Sequence, residues 1–182
     1  MRRTEKHVCK MIRCRVGPRG FTLIEILIVV VILGILATIV VPQFSNATHD
    51  SRENSLRGQL HYLRMQILLF KAQHRDVPPG YPGGDATAVP TEADFVAHMT
   101  SFSSDTCATS ATPSSAYKFG PYLSSMPRNS LNDSATVLVM PNGSPLRAPA
   151  NDAYGWIYRP ETQEIIANLT GSDGTGLPYA KY

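Results

Sequence analysis

Residues 17–44 read GPRGFTLIEILIVVVILGILATIVVPQF, a basic segment closing on Gly20 and then an apolar run broken by one acid, Glu25. From Phe21 to Val41 the run covers 21 residues. A helix rises about 1.5 Å per residue, so about 20 residues cross a hydrocarbon core about 30 Å thick. The run therefore predicts one membrane-spanning helix. An ionised carboxylate inside such a span costs roughly 2.5–3.5 kcal/mol on insertion scales, which marks Glu25 as a candidate functional group. A secretory signal has a shorter apolar stretch, of about 7–15 residues, and ends in a small-residue cleavage site. Here the stretch is longer and no clean A-x-A-type site follows it. An ordinary single-span anchor explains the length, but neither Glu25 nor the Gly20–Phe21 junction.

Working outward toward the N-terminus, residues 1–20 hold Arg2, Arg3, Lys6, Lys10, Arg13, Arg15 and Arg19 against Glu5, a net charge of +6. The whole chain is +3, so residues 21–182 carry −3, from 10 basic and 13 acidic residues. The basic character belongs to the leader and not to a nucleic-acid-binding surface. Lys and Arg beside a span stay cytoplasmic, which places the rest of the chain on the far side of the membrane. Cys9 and Cys14 lie in the leader, leaving Cys107 alone in the remainder. One cysteine forms no internal disulfide, and the spacing fits no zinc pattern. Cys107 is read as incidental, with an intermolecular bridge as the alternative.

Beyond the span the apolar residues change period. Leu56, Leu60, Leu63, Ile67 and Phe70 recur at steps of four and three. At about 100° per residue they fall within an arc of about 80°, the mark of an amphipathic helix packed on a globular head. Tyr62, Met65 and Leu69 lie roughly opposite, a second face for neighbouring subunits or for loops of the same chain. Arg57, Arg64 and Lys71 form a third row, read as a solvated face or as partners for acids of adjacent subunits. Pro42 lacks a backbone donor and should kink or loosen the helix. Pro78, Pro79, Gly80, Pro82, Gly83 and Gly84 should end it near His74–Asp76. Residues 91–102 suit a short helix capped by Thr91, with Asp94 three residues on. Residues 103–116, rich in Ser, Thr and Ala, read as an exposed loop. Strands are expected at 135–140, 155–159 and 164–169, the last two joined by a hairpin at Pro160–Gln163. The resulting fold class is α+β: a long N-terminal helix packed on a small antiparallel sheet of about three strands. The expected divisions are 1–20, 21–44, 45–76 and 77–182: leader, span, amphipathic half of the helix, and head.

The string GFTLIE at residues 20–25 resembles the processing signal of type IV prepilins and type II secretion pseudopilins, and the likeness runs from Gly20 to about Phe44. The resemblance implies that a prepilin peptidase cuts between Gly20 and Phe21 and that the new N-terminal Phe21 is methylated. It implies that Glu25 neutralises the Phe21 amine of an adjacent subunit, and that the helix loosens at Pro42 on assembly. It also implies a homopolymer assembled with other pseudopilins by an inner-membrane platform, with the head periplasmic. In the head, GPYLSSMPRNSLND at 120–133 and DAYGWIYRPETQEIIAN at 152–168 resemble segments of the major pseudopilin of type II secretion. The segment 80–115 is longer and richer in Ser and Thr than that compact head, so a type IV pilin or a minor pseudopilin stays open. Members of this group often bind calcium in the loop after the last strand. Here that loop, NLTGSDGTG at 168–176, holds Asp173 as its one acid, so the expected site is Asp173 with backbone oxygens, or else a Gly-rich turn without metal.

The sequence carries no HExxH helix, GxSxG elbow, P-loop or GxGxxG. His49, His61, His74 and His98 are scattered and read as solvated. The expectation is a structural filament subunit and not an enzyme. The alternative of another class is a membrane-anchored periplasmic ligand-binding protein, which polymer formation would distinguish.

Overall fold

The computed structural model describes residues 20–145 and 151–182, with the backbone alone at Pro42 and Ser45. The leader, apart from Gly20, lies outside the described residues, and so do Cys9 and Cys14. The chain divides into two compact units, Met1–Phe44 and Ser45–Tyr182. The fold is α+β. Helix α1, Leu23–Gln73, contributes to both units and is unbroken through Pro42.

In the first unit α1 is apolar all round and exposed all round, from Leu23 at 85% to Val41 at 65%. A helix with no polar face and no protein cover suits lipid and not water. By length and composition it can cross a membrane once.

In the second unit the expected stripe is the core of the head. Leu56, Leu63, Ile67 and Phe70 have no solvent exposure and Leu60 has 1%. They pack with Phe95, Met99, Leu123, Trp156, Tyr158 and Ile165 in one cluster. Helix α1 stops where the prolines begin. Arg75 and Asp76 take left-handed backbone at φ 54° and 64°, and the Asp76 N–H returns to the Lys71 carbonyl at 3.1 Å. Helix α2, Glu92–Thr100, starts at the expected cap, where Thr91 Oγ1 accepts from the Asp94 N–H at 3.0 Å.

Strands β1, Phe102–Ser103, and β2, Thr109–Ser110, pair antiparallel. Their turn corrects the exposed-loop expectation for the start of 103–116, because Ser103, Ser104 and Cys107 are buried, while Asp105, Thr106 and most of the later residues are exposed. Strands β3, Val137–Val139, β4, Trp156–Arg159, and β5, Glu164–Ala167, form a sheet in that order. The hairpin β4–β5 is antiparallel as expected, with Trp156 opposite Ala167 and Arg159 opposite Glu164. The pair β3–β4 is parallel, with Val137 opposite Trp156, so the sheet is mixed and not all antiparallel. Residues 140–155 make the difference. A parallel pair needs a crossover of a dozen or more residues, and this connection is long enough to supply one. At its end Gly155 lies so close to Ser134 that a Cβ there would stand 2.1 Å from the Ser134 carbonyl oxygen.

Two histidines contradict the solvated reading. His74 is fully buried and His98 is 2% exposed. Each stacks on Phe70, at ring distances of 3.8 and 5.0 Å. Their partners set opposite tautomers. His74 Nδ1–H faces the Phe70 carbonyl at 2.7 Å, and its Nε2 accepts from Ser103 Oγ at 2.9 Å. His98 Nδ1 accepts from the Gly80 N–H at 3.1 Å, and its Nε2–H donates to the Cys107 carbonyl at 3.0 Å. The His98 ring is therefore held neutral, because its Nδ1 accepts a backbone N–H and carries no proton. Burial lowers both pKa values, that of His98 to about 4. An unfolded imidazole takes up its proton near pH 6.5. The stability His98 contributes is thus present above pH 6.5 and is lost as pH falls toward about 4. The loss should approach about 3 kcal/mol. Denaturant unfolding followed by Trp156 fluorescence, from neutral pH downward, measures it. A flat profile through this window would contradict the buried neutral His98.

Candidate processing and assembly site

Gly20 and Phe21 precede the first turn of α1 and are exposed, Phe21 at 78%. The bond between them lies in non-helical backbone open to another protein. Thr22 and Glu25 then close a capping box. The Thr22 N–H donates to Glu25 Oε2 at 3.4 Å, and the Glu25 N–H donates to Thr22 Oγ1 at 3.3 Å. A helix leaves its first N–H groups unpaired, and a T-x-x-E pattern satisfies two of them reciprocally. The pattern was legible in the sequence, which pointed to Glu25 for its charge alone. The bonds are long, so this carboxylate is held loosely and keeps acceptor capacity.

On the head, the basic row corrects the sequence reading. Arg57, Arg64 and Lys71 are neither a free solvated row nor left open for another subunit's acids. Each reaches residues far along the same chain. Arg57 Nη2 contacts Asp173 Oδ2 at 2.6 Å and donates to Tyr182 Oη at 2.8 Å. Arg64 Nη2 donates to the backbone oxygens of Ile165 and Tyr182. Lys71 Nζ donates to Gln163 Oε1 at 3.2 Å. Beside them Tyr179 Oη donates to the buried Glu53 at 2.8 Å, and His49 lies 3.2 Å from the same carboxylate. Glu53, Tyr179 and Tyr182 had no sequence signal, because their pairing joins segments more than a hundred residues apart.

Asp173 sits at the centre of this seam. Oδ1 accepts from the Thr175 N–H, Thr175 Oγ1 and the Leu177 N–H at 2.8, 2.6 and 2.9 Å. Oδ2 accepts from Arg57 and from Tyr182 Oη. These bonds, the Thr175 hydroxyl foremost, hold its carboxyl well below the usual carboxylate range. Calcium takes about six to eight oxygen ligands. Both Asp173 oxygens instead face donors, one of them a guanidinium, so the residues around Asp173 do not fit the calcium site expected there.

Tyr62, Met65 and Leu69 are exposed at 49%, 52% and 45%, and Leu68 joins them at 50%. The described loops of the chain leave this second apolar face largely open. Cys107 is 3% exposed, and burial pushes its thiol up to about 11. It has neither the access nor the thiolate that an intermolecular bridge needs.

A processing-type junction, a single apolar span and an α+β head built on the far half of the same helix define a membrane-anchored, pilin-like chain. The prokaryotic N-terminal methylation motif matches residues 17–41. The chain is 37% identical over 67 residues to type II secretion system core protein G of Pseudomonas aeruginosa, covering 37% of this chain and 47% of that one. It is 32% identical over 85 residues to the protein of the same name from Klebsiella michiganensis, covering 44% and 60%. It is 35% identical over 60 residues to the type IV narrow pilus major component PilA5 of Thermus thermophilus, covering 33% and 52%. The chain thus spans about half the length of the curated relatives it matches. No solved structure matches it significantly. Over part of its length the chain is thus similar to core protein G of type II secretion systems and to a type IV pilus component.

Proposed function

We propose that this chain is a structural subunit of a type II secretion pseudopilus. Prepilin peptidase removes residues 1–20, Phe21 is methylated, and residues 21–44 hold the subunit in the bacterial inner membrane with residues 45–182 in the periplasm. The assembly platform then extracts the span and adds the subunit to a polymer of its own kind and of other pseudopilins. The observation that carries this reading is the exposed Gly20–Phe21 junction directly before an acid-bearing apolar helix. A type IV pilin is the second reading, favoured by the PilA5 likeness. Visible surface pili without secretion of a cargo protein would select it.

Chemistry gives each residue its part. Cleavage makes a cation at Phe21, and a charge in low dielectric persists only when paired. Glu25, whose carboxylate takes one long bond from the Thr22 N–H among the described residues, accepts the Phe21 amine of the next subunit. Pro42 removes one helical N–H and marks where α1 loosens when the subunit leaves the bilayer. The open face at Tyr62, Met65, Leu68 and Leu69 supplies apolar contact between heads.

Glu25→Leu separates insertion from assembly. An apolar side chain removes a cost of roughly 3 kcal/mol in hydrocarbon, so membrane levels should hold or rise. Filaments should be lost, because the neighbouring amine has no partner. Electron microscopy and crosslinking of membrane fractions read both. Normal filaments at normal rates would remove Glu25 from the proposed role.

A further inference from the structure

We propose that the C-terminal loop, residues 168–176, is closed by the guanidinium of Arg57 acting as the fixed counter-cation of Asp173, in the position where the resemblance led us to expect calcium. The donor set is specific. The Asp173 side chain is 1% exposed and accepts five hydrogen bonds, three on Oδ1 from the neighbouring Thr175 and Leu177 and two on Oδ2 from Arg57 and Tyr182. The loop folds back on itself, with the Asp173 N–H on the Leu177 carbonyl and the Gly176 N–H on the Asp173 carbonyl, both at 2.9 Å. A metal there would meet N–H and O–H groups in place of lone pairs.

Arg57 is held for this task. Its Nη1 donates to Asn54 Oδ1 at 3.2 Å, its Nη2 bridges Asp173 and Tyr182, and its Cζ stands 4.3 Å over the Tyr182 ring. It follows Leu56 of the buried stripe, so the core fixes where it starts. A planar fork with several donors pairs a carboxylate and stacks on a ring at once, which a lysine does not. The cation that a metal site must collect from solution is here encoded in α1. The head therefore closes independently of calcium.

The test uses the full chain in detergent, melted while following Trp156 fluorescence, in millimolar calcium and in excess chelator. The wild-type curves should superimpose. Arg57→Ala should melt several degrees lower, because it leaves a buried carboxylate without its cation. Asp173→Asn should also melt lower, and the Arg57→Ala/Asp173→Asn pair should fall by less than the sum of the two. Arg57→Lys, which keeps the charge and loses the fork, should fall between wild type and Arg57→Ala, and it stands in if the alanine variant does not fold. A calcium-dependent rise in the wild type that Asp173→Asn removes would overturn the proposal. So would an Arg57→Ala chain that melts like the wild type.

Discussion

Protein extracted from membranes of a host with an active prepilin peptidase should have the mass of residues 21–182 plus one methyl group, and Gly20→Val should raise it to that of the uncut chain. The expectation follows from local structure. Helix α1 starts at Leu23, so Gly20 and Phe21 offer non-helical, exposed backbone to a peptidase. Peptide bonds inside a helix are hydrogen-bonded and hard to seat in an active site, whereas this one is free of the ladder. Among the described residues nothing crowds Gly20, since a Cβ there would meet no atom within 4 Å. The block by valine would therefore come from the peptidase's side, with folding and insertion unchanged. Intact-mass measurement separates the outcomes in one experiment. A wild-type mass that still includes residues 1–20 would end the pseudopilin reading.

Trp156→Ala should cost the head about 3–5 kcal/mol, the usual range for truncating a buried aromatic. Trp156 lies in β4, the central strand, opposite Val137 on one side and Ala167 on the other. Its ring is fully buried, and its Nε1–H donates to the Pro127 carbonyl at 2.9 Å. Alanine leaves a cavity beneath α1 and removes a partner from that carbonyl, which adds to the loss. A domain of this size is stable by about 5–15 kcal/mol. Each 1 kcal/mol shifts the melting temperature by roughly 2–4 °C at this length, so a fall of roughly 6–20 °C is expected. Circular dichroism must follow it, because the chain has one tryptophan and the variant has none. A fall of only a degree or two would place Trp156 outside the cooperative core.

Much of the fold was legible because its signals are local. The period of Leu56, Leu60, Leu63, Ile67 and Phe70 named the buried face of α1 residue by residue. Thr91 with Asp94 marked the start of α2, and Pro160–Gln163 marked the β4–β5 hairpin. Strand direction was not legible at β3. Composition shows that 137–139 extends, but only the path of the following connection decides whether it meets β4 parallel or antiparallel. The burial of the histidines was not legible for a related reason. A scattered His looks solvated in sequence, and His74 and His98 are buried only because α1, α2 and the β1–β2 turn converge around Phe70.

The candidate sites divide along the same line. The sequence by itself determined the methylation-motif match around Gly20–Phe21, the apolar span with Glu25 inside it, and the apolar stripe on which the head is built. Each is written in contiguous residues whose chemistry or period needs no partner to be read. Tertiary structure alone decided what Arg57, Arg64 and Asp173 do. A row of cations looks solvated, and a lone acid in a Gly-rich loop looks available to a metal. Folding brings the two together across 116 positions of sequence. A carboxylate buried beside a guanidinium and four neutral donors is satisfied by the protein itself, and no linear pattern records that pairing.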